Sequence, residues 1–447
     1  MPSTTDSKLA EVHLGEQSEV EPVELDPERP FRILLVGDFS GRAWRKNPSK
    51  SFTPQVIDRD NFDEVLEHMQ VGLNLHGAHL SFREMEDFHP DRIYEAARML
   101  FEEAERQLQR PEPPKTSAAA APRAASSGSL LDQILAEQAP EEPAAAASIE
   151  EANDLASFIR RVSKGQTEAR PTAAEQQHAA HREALSAEVM RSILHHPRVQ
   201  ALEAAWRAVF MLIRGLDTDG DLKVYILNIT LPELIAEADN LRADLRRKGP
   251  WAAIAANYSF GQSELDAQAL RRLGRLASSL RAPFLAEAHL NGKDVAEDQW
   301  SGLRHSSEAR WIGLALPRFL LRLPYGKDTA PIESFPFEEM PKSKHAAYLW
   351  GNPAFFCAYL LGKSFLAHGW DLNPLERRID GLPMHVYQED GEPVAKPCAE
   401  VLLTEREAFR LLDAGFMPLA SLKHQPSALI VRFQSVAEPA AALAGLQ

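Results

Sequence analysis

The sequence predicts an α/β fold, α+β layered, for a chain of 447 residues. Three observations carry that expectation. Residues 31–36 (FRILLV) are a short, β-rich apolar run closed by Gly37 and Asp38, which reads as a buried strand followed by a turn. Residues 222–229 (LKVYILNI) form the clearest strand signal in the chain. From there to residue 287, strand-like and helix-like segments alternate, as they do where helices are layered on a sheet.

The elements follow in order. Residues 1–30 are an acidic, polar arm with a weak alternation at 20–25 (VEPVEL), able to become a strand only beside a partner. After the 31–36 strand, residues 54–57 make a second one. Phe62, Val65, Leu66 and Met69 then fall on one face of a helix that Asp60 or Asn61 caps. Segments 71–75 and 79–82 alternate like hairpin strands. Asp87 and Asp91 open a helix running to residue 108, with Pro90 in its first turn.

At residue 110 the composition changes. Residues 110–129 (RPEPPKTSAAAAPRAASSGS) lack aromatics and have linker composition. Inside this zone, 129–137 (SLLDQILAE) is a short amphipathic island. Ser129 caps it, and Leu130, Leu131, Ile134 and Leu135 share one stripe. Such a helix is marginal alone, so it reads as a docking peptide, with an incidental helix on the chain's own surface as the plain alternative. Beyond it the sequence predicts helices at 149–163, 172–214 (broken near Pro197), 232–245, 264–280, 348–368 and 404–414. Strands are expected at 252–258 and 283–287. No repeat of 20–50 residues is present, which argues against a solenoid or propeller. The resulting division is an arm at 1–30, a first region at 31–109, a linker at 110–147 and a second region at 148–447.

Composition narrows the function. Lysine and arginine total 49 against 64 acidic residues, a net charge of -15, so nucleic acid and anionic membrane are not expected partners. Cys357 and Cys398 are too few for a disulfide scaffold or a cysteine-only metal site. The N-terminus lacks an apolar signal-peptide core, and the longest apolar run, 353–361, is too short to span a bilayer; a cytoplasmic location is the expectation.

Catalytic templates find no match. Residues 37–41 (GDFSG) follow a strand but lack the lysine and length of a phosphate loop, so they read as a sharp turn. The pairs His195/His196 and His76/His79 have no neighbouring ligands at metal spacing and read as surface or capping histidines. Asp87 and Asp91 read as helix caps. No catalytic, cofactor or metal residue is assigned. Trp311, Trp350, Phe355, Phe356, Tyr359, Phe365 and Trp370 crowd the last third; they read as core, with an assembly interface as the sharper alternative.

Three blocks, at 30–42 (PFRILLVGDFSGR), 57–62 (IDRDNF) and 82–91 (FREMEDFHPD), resemble the small subunit of the type VI secretion contractile sheath, TssB/VipA. Beyond the linker the chain resembles the large subunit, TssC/VipB. The matching blocks begin with 128–135 (GSLLDQIL), 193–197 (ILHHP), 202–207 (LEAAWR) and 313–326 (GLALPRFLLRLPYG). They continue at 335–339, 348–352, 381–383 and 415–419. The resemblance implies a fused small–large sheath subunit in which the two parts pack together, shortened at the C-terminus relative to the family. It implies a structural, non-catalytic role without cofactor. The implied partners are copies of itself or other sheath subunits, an Hcp-like inner tube, a baseplate and a ClpV-type AAA+ unfoldase. It further assigns the unfoldase contact to Leu130, Leu131, Ile134 and Leu135. The arm residues Val20, Val23 and Leu25 are the candidate donor strand. The alternatives are a non-polymerising cap, terminator or adaptor at a sheath end and, remotely, a hydrolase.

Overall fold

The computed structural model describes residues 29–46, 48, 51–108, 174–290, 297–341, 345–372, 375–389 and 391–446. Val20, Val23 and Leu25, the amphipathic segment with Leu130, Leu131, Ile134 and Leu135, and the expected 149–163 helix all lie outside the described residues.

In chain order the first region contributes β1 (Phe31–Gly37), β2 (Gln55–Ile57), α1 (Phe62–His68), β3 (Gly72–Leu75), β4 (Ala78–Ser81), α2 (Pro90–Ala96) and α3 (Arg98–Leu108). The second begins with α4 (Ala174–Leu194), α5 (Pro197–Gly215), β5 (Leu222–Asn228), α6 (Leu231–Arg247) and β6 (Ala253–Phe260). It continues with α7 (Glu264–Leu280), β7 (Phe284–Ala288), α8 (Glu297–Arg304), β8 (Ile312–Leu316), β9 (Phe319–Leu320) and β10 (Trp350–Gly351). Then come α9 (Pro353–His368), β11 (Arg378–Asp380), β12 (Val386–Glu389), β13 (Glu392–Ala395), α10 (Glu405–Asp413), β14 (Met417–Ser421) and β15 (Ser427–Ile430).

Nine strands form one mixed sheet in the order β11-β15-β14-β8-β7-β6-β1-β5-β2. The six from β14 to β5 are parallel, and antiparallel strands close both ends. Both faces are covered, which explains the continuous apolar runs. Alternate residues of β1 show it directly. Phe31, Ile33 and Leu35 enter a core built with α5 and α9, whereas Leu34 and Val36 enter the core under α6 and α7.

Local chemistry sets the helix boundaries. Thr230 with Glu233, Ser263 with Asp266 and Thr404 with Glu407 form reciprocal capping boxes at α6, α7 and α10. Two expectations shift. The single helix from 87 to 108 is instead a 3-10 turn at Met85–Phe88 followed by α2 and α3, which separate at Ala97 (φ -100, ψ 17). The helix expected from 348 starts at Pro353, because Asn352 caps it and Trp350–Gly351 is engaged with β9.

Candidate assembly site at the seam between the two regions

The strand β1 occupies a slot in the sheet of the second region. It runs parallel to β5 from Phe31 opposite Leu222 to Gly37 opposite Asn228, and parallel to β6 from Ile33 opposite Ala253 to Val36 opposite Ala256. The strands β5 and β6 are consecutive in the second region and joined through α6. With neighbouring strands about 4.8 Å apart, removing β1 would leave them about 10 Å apart with facing backbone groups unpaired. The slot is one strand wide.

Side chains close the seam along its length. At the start of β1, Phe31 stacks on Phe365 with centroids 4.5 Å apart, and the Trp370 indole donates to the Arg29 carbonyl at 2.8 Å. The Arg29 guanidinium lies 3.8 Å over the Trp370 ring. At the other end the buried Trp206 Nε1 donates to the Phe39 carbonyl at 2.7 Å, while Phe39 and Phe62 meet its ring edge-on. Arg59 donates to the carbonyls of Ile213 (3.2 Å) and Arg214 (2.8 Å), a cation at the C-terminus of α5. Arg42 forks onto Glu233 at 3.1 and 2.7 Å, the same carboxylate that completes the α6 capping box.

Asp91 was expected as a cap for its own helix. The cap is His89, whose Nδ1 accepts from the Asp91 amide. The Asp91 carboxylate crosses the seam and accepts from Glu333 N (3.1 Å), Ser334 N (2.9 Å) and Ser334 Oγ (2.6 Å). Burial would push this acid up; those hydrogen bonds hold it below its ordinary value. Asp87 instead closes a capping box on the preceding 3-10 turn, accepting from Glu84 N at 3.3 Å, and also accepts from Arg83 N at 2.6 Å. His196 caps α5, in line with the capping reading.

The turn after β1 is sharp, with Gly41 at φ 78. Asp38 accepts from the amides of Ser40 (3.3 Å), Arg42 (2.7 Å) and Ala43 (2.8 Å). The chain's own carboxylate therefore engages the backbone donors that a phosphate would need there.

Behind the seam lies a buried ionic cluster. Arg322 meets Glu203 at 2.7 Å and Glu339 at 2.7 Å, Arg207 also meets Glu203 at 2.7 Å, and the Tyr325 amide donates to Glu339 at 2.7 Å. Burial would raise both acids. The Arg322 and Arg207 guanidiniums hold Glu203 down, and Arg322 with its hydrogen-bonding neighbours brings Glu339 to about 2. This cluster fastens the 321–340 loop to α5, and the Asp91 contact docks on that same loop.

A second cluster sits near the ends of β7 and β8. Arg318 forks onto Glu400 at 2.9 and 2.6 Å but stands 3.9 Å from Glu287. Burial, with Glu400 adding to it and Arg318 opposing it, pushes Glu287 up to about 7. Lys396 Nζ lies 2.6 Å from His345 Nδ1, and His345 is held below its ordinary value by burial and by Lys396.

The sequence matches the VipB family, described as the tail sheath N-terminal domain, over residues 178–247 and 248–437. It matches the VipA family of the type VI secretion system over residues 10–102. The chain belongs to the VipB sheath family. It carries a VipA-type region ahead of the VipB-type one, and β1 is the VipA-type strand held in the VipB-type sheet. A related protein is the type VI secretion system sheath protein TssC1 of Pseudomonas aeruginosa, 30% identical over 290 residues. That match covers 56% of this chain and 58% of the relative, so the chain spans little more than half of its length.

The VipA/VipB seam absorbs most of the aromatic cluster. Phe355, Phe356 and Phe365 are buried in the core beneath β1, and Trp370 packs against it. Among the described residues no helix is long and apolar enough to cross a membrane. The ionic cluster was not anticipated. Its one sequence signal was Glu203, a carboxylate inside the apolar stripe of α5 between Leu202 and Trp206.

Proposed function

We propose that this chain is a structural, non-catalytic component of a type VI secretion contractile sheath: a small and a large subunit joined in one body. It would assemble with copies of itself or with separate sheath subunits through strand and helix interfaces. The observation that carries this reading is the slot between β5 and β6 filled by β1, which makes the two regions one inseparable unit. A body of this kind works by alternative packings of a polymer rather than by bond chemistry. In this reading Val20, Val23 and Leu25 donate a strand to a neighbour, since an open sheet edge pairs with a compatible extended segment. Leu130, Leu131, Ile134 and Leu135 offer a helix to a ClpV-type AAA+ unfoldase. An Hcp-like tube and a baseplate are the further partners, and the setting is the cytoplasm.

One observation favours a second reading, a non-polymerising cap or adaptor at a sheath end. The sheet ends in three-residue strands. The edge β2 follows Pro54, and the edge β11 exposes Arg378 and Asp380. Short, charged edges resist further pairing.

Negative-stain electron microscopy of the isolated full chain separates the two. Tubes or cogwheel cross-sections support polymerisation. Monodisperse particles that decorate only the ends of preformed sheaths support the cap, and particles binding no sheath at all sink both. For the unfoldase contact, Leu131→Asp with Ile134→Asp abolishes pull-down; unchanged capture discards it.

A further inference from the structure

A groove of about 780 Å³ lies at the C-terminal end of β1, between the turn after that strand and the β3–β4 hairpin. Its lining is basic in a chain of net charge -15. Arg45, Lys46 and Arg83 come from the VipA-type region and Arg198 from the start of α5, with Glu67 as the opposing carboxylate. Trp44 forms part of the wall, 37% exposed, with the Arg198 guanidinium 5.4 Å over its ring. Arg45 is fixed by the carbonyls of Ser40, at 2.8 Å, and Gln70. Among the described residues, none of these four cations makes an ion pair with a carboxylate, whereas Arg92 pairs with Glu95 and Arg106 with Glu103. Unpaired cations gathered around an aromatic wall select an extended acidic peptide.

We propose that the groove holds the acidic N-terminal segment of the same chain, through Glu11, Glu16 and Glu19. Residues 1–28 carry eight carboxylates and one lysine, so the charge is complementary. Reach selects which of them dock. Arg29 is anchored on Trp370 at the start of β1, and the groove lies past its far end, roughly 23 Å away along a seven-residue strand. Glu24, Asp26 and Glu28 are too close to the anchor. From Glu11 to Arg29 the extended chain reaches roughly 60 Å, more than twice that span. Attachment to the same molecule gives the segment an effective concentration of about millimolar at the groove, which favours its own arm over that of a second copy. Docking holds Val20, Val23 and Leu25 along the chain's own body and competes with strand donation, while resting in no way on the sheath role.

Carbodiimide cross-linking of the full chain, read by mass spectrometry, tests it with Lys46 as the reporter amine. The expected result is Lys46 joined to Glu11, Glu16 or Glu19, reduced at least fivefold by Arg83→Glu with Arg198→Glu. Glu11→Gln, Glu16→Gln and Glu19→Gln together remove the coupling carboxyls themselves and so serve as the control that assigns the cross-link to those three residues. An equal mixture of light and nitrogen-15-labelled chains identifies the donor. Pairs of a single isotope support docking within one chain, whereas mixed pairs overturn it in favour of a second copy. No Lys46 coupling to the arm, or coupling indifferent to Arg83→Glu with Arg198→Glu, also overturns it.

Discussion

Two clusters of guanidinium and carboxylate in this fold have nearly the same membership and opposite electrostatics. Around Arg322, two acids each receive short, direct contacts, Glu339 gains a backbone amide as well, and burial is overcome. Around Arg318, the fork is spent on Glu400, and Glu287 is left 3.9 Å off in a buried position. The same residue types therefore hold one acid at about 2 and release another to about 7. What decides is the number of donors reaching each oxygen, since burial penalises every charge that its neighbours do not match.

The largest effect expected from this contrast is at Arg322. Arg322→Leu leaves Glu203 and Glu339 buried without their shared cation, and urea unfolding should lose about 3–5 kcal/mol. A loss below about 1 kcal/mol would erase the distinction between the clusters. The acid limb carries the same information. The folded value of Glu339 is depressed, so its contribution is complete above about pH 4.5 and fades as the pH falls toward 2. Glu339→Gln should flatten the stability curve in that window.

Next in size is Glu287, where the sign reverses. Its folded value is raised, so the stability it contributes is complete below about pH 4.5 and lost as the pH rises through 7. Glu287→Gln should therefore be more stable than the parent by about 1–2 kcal/mol at pH 8, with the two converging near pH 5 in thermal melts. A variant less stable at pH 8 would mean that Arg318 satisfies Glu287 after all. Smaller still is Asp91→Asn, which weakens the four hydrogen bonds to Glu333 and Ser334 and should lower stability by about 1 kcal/mol, measured by chemical denaturation. The smallest is Glu400→Gln. It removes a repelling charge and frees Arg318, so the Glu287 titration followed by carboxyl NMR should move below 7.

The centre of the sheet was readable from the sequence because β1 and β5 are seven-residue apolar runs and α7 is a long amphipathic helix whose bounds coincide with those expected. The far side was not. The strands β8, β14 and β15 have four or five residues, and Pro418 interrupts β14, so neither length nor periodicity marks them against the surrounding aromatics. The seam was legible in kind, through its family motifs, but not in geometry: nothing local says that β1 belongs between β5 and β6. Asp91 illustrates the limit. Its place before a helix suggested a cap, and only the fold brings Ser334 within 2.6 Å of it.

The central position of β1 has a consequence for biosynthesis. Arg42, just past that strand, meets Glu233 across 191 residues of chain. At about 5–20 residues per second, the ribosome needs roughly 10–40 s to deliver the flanking strands after β1 has emerged. Throughout that interval an apolar ribbon waits without neighbours, exposed to any foreign edge. Covalent joining keeps it beside its destined berth when the berth finally forms, turning a search between separate molecules into a local closure.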